Sequence, residues 1–264
     1  MNLRSFSFRR ARAVRHAVAA CLLVSGGMAS AQNATPSEWQ YELTPYLWAA
    51  RMNGDVKVGP LPKTTLDMKF SDILSTLDFG FMSAFEARKG QWGLLFDGMY
   101  MKNSDSASAS RSGAPTVDAK MKLRQTMLSA AMFYRVADGE APVDIIGGLR
   151  YNNIESDAKI NAAINGLTGT IKEEGRKHWT DPYIGIRARY PITERWAATA
   201  YGDIGGFNVG SDRTWQASLG LSYAISKTAS ANFGYRYLKT DYDEGGFLYD
   251  MRNDGVYGGV SFRF

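Results

Sequence analysis

The chain has 264 residues, with 31 basic against 26 acidic side chains, one cysteine, 27 glycines and aromatics at 12%. Five of the basic residues (Arg4, Arg9, Arg10, Arg12 and Arg15) fall in the first 31 positions, where there is no acid; the remainder carries 26 of each sign and offers no basic surface for nucleic acid. The lone Cys21 sits in the same opening segment, so residues 32–264 have no thiol, disulfide or thiolate metal site, and no run approaches the roughly 18 apolar residues of a helical membrane span.

Residues 1–31 have a basic start, an apolar stretch from about Ala17 to Val24, and the small-residue site Ala29-Ser30-Ala31. That is the layout of a secretory signal peptide, with cleavage expected before Gln32. No Pro- or Ser-rich linker divides residues 32–264, which are read as one domain.

Beyond the signal, alternation with period two predicts strands rather than helices. The candidates are roughly 38–50, 77–89, 91–103, 117–136, 143–164, 167–190, 195–209, 214–225, 229–243 and 250–264, ten in all. Segment 51–76 is the weak point: a hidden hairpin there would raise the number to twelve, and eight is the other alternative. Within it Ile73, Leu74 and Leu77, with Ser71 or Asp72 as a cap, suggest a short helical turn packed on the rim or folded into a barrel mouth. Ser104–Ser112 reads as a flexible loop. Segments 143–164 and 167–190 exceed a membrane crossing, and Asn165-Gly166 between them is a type I′ turn signal, so the two continue as one hairpin above a bilayer. Segment 195–209 is lined by Ala197, Ala198, Ala200, Gly202, Gly205 and Gly206, small residues that leave room for large neighbours inside the same barrel, the favoured reading, or for close packing against another barrel. In the next strand Trp215, Ala217, Leu219, Leu221 and Tyr223 share one face and Gln216, Ser218, Gly220 and Ser222 the other; the last strand puts Val256, Gly258, Val260, Phe262 and Phe264 together.

Short turns (KGQ, ADGEAP, PITER, ISKTAS) alternate with longer polar stretches at 51–76, 104–116 and the 157–177 hairpin. Bacterial outer-membrane barrels have this asymmetry, with short periplasmic turns, long outside loops and an even strand number. Trp39, Trp92 and Trp196 open strands at the short-turn end, and Tyr134, Tyr190, Tyr223 and Phe264 close strands there, as an aromatic girdle would. Phe79, Tyr100, Trp215 and Tyr237 are placed for a looser second girdle, whereas Trp48 and Trp179 fall on the polar-face parity. That polar face also carries Glu42, Glu86, Arg88, Asp97, Asp144, Arg150, Arg187, Arg189, Asp203, Arg236 and Arg263. In a barrel these line the lumen, and the mixture of signs argues against a strongly ion-selective pore.

The features together resemble bacterial outer-membrane β-barrels, and "LTPYLW" and "FEARKGQWGLLFDGMY" are similar to segments of largely uncharacterised Gram-negative barrel proteins. The resemblance implies an antiparallel up-and-down transmembrane barrel in the outer membrane. It also implies that Val260, Phe262 and Phe264 form the signal read by the barrel-assembly machinery, and that outer-membrane lipid and lipopolysaccharide are partners. It carries no activity.

Chemistry is sparse. His178 is the one histidine after the signal, in "RKHWTDP", and Asp181 three residues on has the opposite strand parity. A lipid or peptide hydrolase with His178 as base is the alternative function, and a soluble secreted β-domain a third. The outer-rim acids Asp212, Asp241, Asp243, Glu244, Asp250 and Asp254 lack calcium-loop spacing. No cofactor, metal or catalytic residue is assigned. The leading expectation is a non-enzymatic barrel, either a narrow passive channel or a structural, surface-contact protein.

Overall fold

The computed structural model describes residues 38–58, 63–109, 116–164 and 167–264. The expected signal segment, the Asn165-Gly166 turn and residues 110–115 lie outside them; residues 104–109, expected as loop, instead continue a strand paired with 117–122. Eleven strands and one helix follow in order. They are β1 (Gln40–Val58), β2 (Thr64–Met68), α1 (Phe70–Ser75), β3 (Leu77–Lys89), β4 (Trp92–Ala109), β5 (Thr116–Ala137) and β6 (Val143–Ile164). Then come β7 (Leu167–Pro191), β8 (Trp196–Gly205), β9 (Arg213–Ala224), β10 (Ala229–Glu244) and β11 (Phe247–Arg263).

Ten long strands pair antiparallel with their chain neighbours, and β11 returns to β1, closing the sheet into a barrel. At the closure the backbone N–H groups of Tyr41 and Phe264 each donate to the other's carbonyl at 3.1 Å. The eleventh strand, β2, is short: it folds back on the far end of β1 (Met52↔Met68 to Val56↔Thr64) above the ten-strand wall. The suspected hairpin in 51–76 therefore exists, but adds no crossing.

The barrel is inside-out relative to a soluble one. Leu47, Phe81, Leu128, Leu149, Ile184, Leu219 and Val256 are exposed on its outer face, while Asp144, Arg150, Asp203 and Arg236 are buried within. A continuous apolar belt on this scale belongs against hydrocarbon rather than water. Among the described residues no helix is long and apolar enough to cross a membrane.

At the short-turn end Trp92 meets Tyr134 with ring centroids 4.7 Å apart, Trp196 meets Tyr223 at 4.9 Å, and Tyr41 bridges Trp39 and Phe264 at 6.3 and 5.8 Å. Tyr190 is exposed at the foot of β7. Higher on the wall Phe79 lies 6.0 Å from Tyr100, and Trp215 lies 4.4 Å from Tyr237. Strand β8 ends earlier than 195–209 suggests: the chain turns at Gly206, Phe207 and Asn208, all with positive φ. Gly205 backs onto Tyr183, where a Cβ would come within 2.7 Å of the Tyr183 Cβ.

Helix α1 forms over the expected segment with a different cap. The N-cap residue is Lys69, whose N–H donates to the Asp72 carboxylate at 3.0 Å. Ile73 is buried inside, and Phe70 and Leu74 stay exposed.

Candidate functional site: a divided lumen

The inward parity brings side chains from all round the wall into two stacked chambers. The lower one opens at the short-turn end, encloses about 1000 Å³ and is lined by Trp39, Pro142, Lys227 and Phe264 at its mouth. Ten of the eleven sequence-assigned lumen charges line it (Glu42, Glu86, Arg88, Asp97, Asp144, Arg150, Arg187, Arg189, Arg236 and Arg263), and the eleventh, Asp203, lies against Arg150.

Three groups of bonds hold these charges. Near the mouth Arg187 donates to Glu86 at 2.7 Å and to Asp144 at 2.8 Å, while its guanidinium lies 4.9 Å from the Phe133 ring centroid. Arg135 also donates to Asp144 at 2.7 Å, and Arg263 to Glu42 at 2.7 Å. Deeper in, Arg150 grips Asp203 through two bonds at 2.7 and 3.2 Å, Tyr201 donates to the same carboxylate at 2.6 Å, and Tyr183 supports the guanidinium at 4.7 Å. Arg236 donates twice to Gln216 Oε1 on the neighbouring β9, at 2.7 and 3.0 Å, and across the lumen lies 3.8 Å from Asp97, which accepts from Tyr46 at 2.8 Å.

Signs do not balance in this chamber. Eight cations (Arg88, Arg135, Arg150, Arg187, Arg189, Lys227, Arg236 and Arg263) face five carboxylates: Glu42, Glu86, Asp97 and Asp144 in the lining, and Asp203 against Arg150. Arg189 makes no ion pair among the described residues. Both signs line the chamber, with a positive excess to which Arg135 and Lys227 contribute. Any ion entering here meets a field that favours anions.

The polar layer ends at Trp48. Arg236 lies 4.6 Å from the Trp48 ring centroid on one side. On the other, Trp48 packs with Met82, Met99, Met127 and Leu238, all buried. Above them Met52, Ile73, Trp179, Tyr242, Tyr249 and Met251 form a second buried cluster, with Trp179 4.5 Å from Tyr242. The two tryptophans that broke the outer-face rule are therefore the plates of an apolar plug. Sequence reading missed the plug's other members. Their signal is visible in hindsight: Met82, Met99, Met127 and Leu238 are apolar residues on the polar-face parity, confined to the same height on four strands.

His178 and Asp181 do not meet. Asp181 is fully buried, accepting from Ser211 N–H at 2.6 Å and Trp179 Nε1 at 3.1 Å. His178 is on the outer face, 6.3 Å from the Tyr151 ring. Among the described residues no cluster of three or more His, Cys, Asp or Glu side chains could hold a metal. Above the wall Arg124 bridges Glu155 at 2.7 Å and Asp157 at 2.9 Å, and its guanidinium holds the Glu155 carboxyl below the usual range.

Comparison of the fold with solved structures finds the outer-membrane protease OmpT from Escherichia coli, with a TM-score of 0.58 and 10% identity over 88% of this chain and 98% of the other. The translocator domain of the autotransporter NalP from Neisseria meningitidis follows at 0.50 and 12%, over 89% and 90%. The fold is that of the outer-membrane β-barrels. At these identities the likeness extends to architecture alone: one of these barrels is a protease and the other a translocator domain. No protein-family model and no curated protein sequence matches the chain.

Proposed function

We propose that this protein is a non-enzymatic barrel of the outer membrane, exported by its N-terminal segment, with its short turns in the periplasm and a lumen closed to ions at rest. The observation that carries this reading is the buried layer of Trp48, Met82, Met99, Met127 and Leu238 between a charged lower chamber and the outer mouth. An ion crossing it would shed its water among thioethers and alkyl groups, at a cost of many kcal/mol. Of the two non-enzymatic forms expected from the sequence, the closed barrel is supported over the passive channel. A hydrolase using His178 would have to work on the outside of the wall, without Asp181.

The test is conductance of the folded, detergent-purified protein in a planar bilayer. Wild type is expected to be silent, and discrete reproducible steps from wild type would remove the reading.

A further inference from the structure

The barrel wall has a break. Strand β1 pairs with β3 only from Gln40↔Arg88 to Pro45↔Ser83, and its ladder on that side resumes at Met52↔Met68, with β2. Between those points no ladder pair joins β1 to β3, over six residues or about 20 Å of strand. The opposite edge of β1 stays paired with β11 throughout this stretch, from Tyr46↔Gly259 to Arg51↔Asp254. Leu47 and Phe81, 69% and 56% exposed, face outward beside the break, so it lies in the upper part of the apolar belt. Helix α1 lies beside it, with Ile73 turned inward. A sheet edge left open to hydrocarbon is costly, because each backbone group there lacks a partner.

Behind the break is a second cavity, of about 110 Å³. Its lining joins the two sides of the wall: Leu47 and Leu74 from the outer face, and Trp48, Met82, Met99 and Met127 from the lumen. Flexible methionines adapt their shape to an apolar guest. One polar group in this lining is unmatched: Asn152 is 91% buried (9% exposed), and its Nδ2 has no hydrogen-bond partner. A buried amide without an acceptor is destabilising, and a guest's oxygen would satisfy it.

We infer that this apolar chamber binds a small aromatic or short-alkyl molecule carrying one hydrogen-bond acceptor, admitted sideways from the outer leaflet through the break between β1 and β3. The inference rests on the reading of the chain as a barrel set in a membrane. Size limits the guest: an engineered dry cavity of about 150 Å³ takes benzene, so at about 110 Å³ the chamber admits a single ring only as its flexible methionines give way, and a lipid tail is too large. The ring lies among Met82, Met99 and Met127, and its oxygen accepts from Asn152.

The test uses the full folded chain in lipid nanodiscs, with 4-fluoroacetophenone as probe and fluorobenzene as the analogue lacking the acceptor, both followed by fluorine NMR. The ketone should bind saturably. Met99→Trp, which fills the chamber, should weaken both probes at least about tenfold, a loss consistent with overpacking. Asn152→Leu should weaken the ketone about three- to tenfold, the value of one hydrogen bond, and leave fluorobenzene unchanged. Leu74→Trp, at the entrance, should slow exchange without changing affinity. If Met99→Trp fails to fold, judged by loss of its heat-modifiable gel shift, Met127→Phe replaces it. Non-saturable partitioning, binding indifferent to the filling variant, or equal displacement by a lysophospholipid would each overturn the inference. Conductance separates the two readings. Silence without probe binding leaves the closed barrel standing, and steps with specific probe binding remove closure alone.

Discussion

The Arg150–Asp203 pair offers a sharp test of how the lumen is held together. Both side chains are nearly inaccessible, at 3% and 0%. The Asp203 carboxylate accepts two bonds from Arg150 and one from Tyr201. Arg150→Met removes two of the three and leaves a buried anion held by one phenol, a change that costs about 3–5 kcal/mol. Asp203→Asn keeps an acceptor for Tyr201 but strands the guanidinium, supported by the Tyr183 ring alone; the expected loss is about 3 kcal/mol. The double variant has no buried net charge, retains the Tyr201 bond and should lose only about 1–2 kcal/mol. The coupling should therefore exceed about 4 kcal/mol, measured as urea-unfolding midpoints of the refolded barrel in detergent micelles at constant slope. If the double variant is as damaged as the two singles added together, the charges are not coupled, and the account of the lumen as neutralised pairs is wrong.

Three further outcomes follow from other parts of the molecule. Trp48→Ala, which removes the plate between the chambers, should convert a silent barrel into one with small steps, and under a salt gradient the reversal potential should show preference for chloride, as the positive lower chamber requires. Gly93→Ala should destabilise by about 1–3 kcal/mol, because a Cβ there would overlap the Phe133 ring that supports Arg187, whereas Gly147→Ala, with open space at its Cβ, should be close to neutral. The Glu155 carboxyl, hydrogen-bonded by Arg124, has a depressed pKa in the folded state. Its contribution is therefore present above the unfolded value of about 4.3 and lost as pH falls through the folded one; amide exchange in the upper parts of β5 and β6 should quicken in acid, and Arg124→Gln should abolish that dependence.

Much of this architecture was legible because two signals reinforce each other. Period-two alternation locates a strand, and the type of turn fixes which end of the barrel it starts from, so even Gly-rich stretches such as 195–209 were assigned. The inward charges followed from parity. Their partners could not: Arg187 meets Glu86 across 101 residues, and Arg150 meets Asp203 across 53. Only closure of the ring brings those pairs together. The plug was hidden for a different reason. Parity treats both halves of a strand alike, whereas this lumen changes from charged to apolar part-way up, so Trp48 and Trp179 stood out as exceptions to a rule that ceases to apply above Arg236. The β1–β2 hairpin is short because it pairs only where β1 has risen past the wall, and nothing in the pattern of 51–76 marks that height.

The one-sided pairing of β1 leaves a signature in solvent isotope exchange. In an antiparallel strand successive amides point to opposite neighbours, and Tyr41, bonded to Phe264, fixes the odd positions toward β11. The amides of Leu47 and Ala49 then belong to the closure seam, and those of Trp48 and Ala50 point into the break. Adjacent residues of one strand should differ in protection by orders of magnitude, fast at 48 and 50 and slow at 47 and 49. The strand that closes the barrel is thus also the one held along a single edge, so a slow breathing of the wall would begin there.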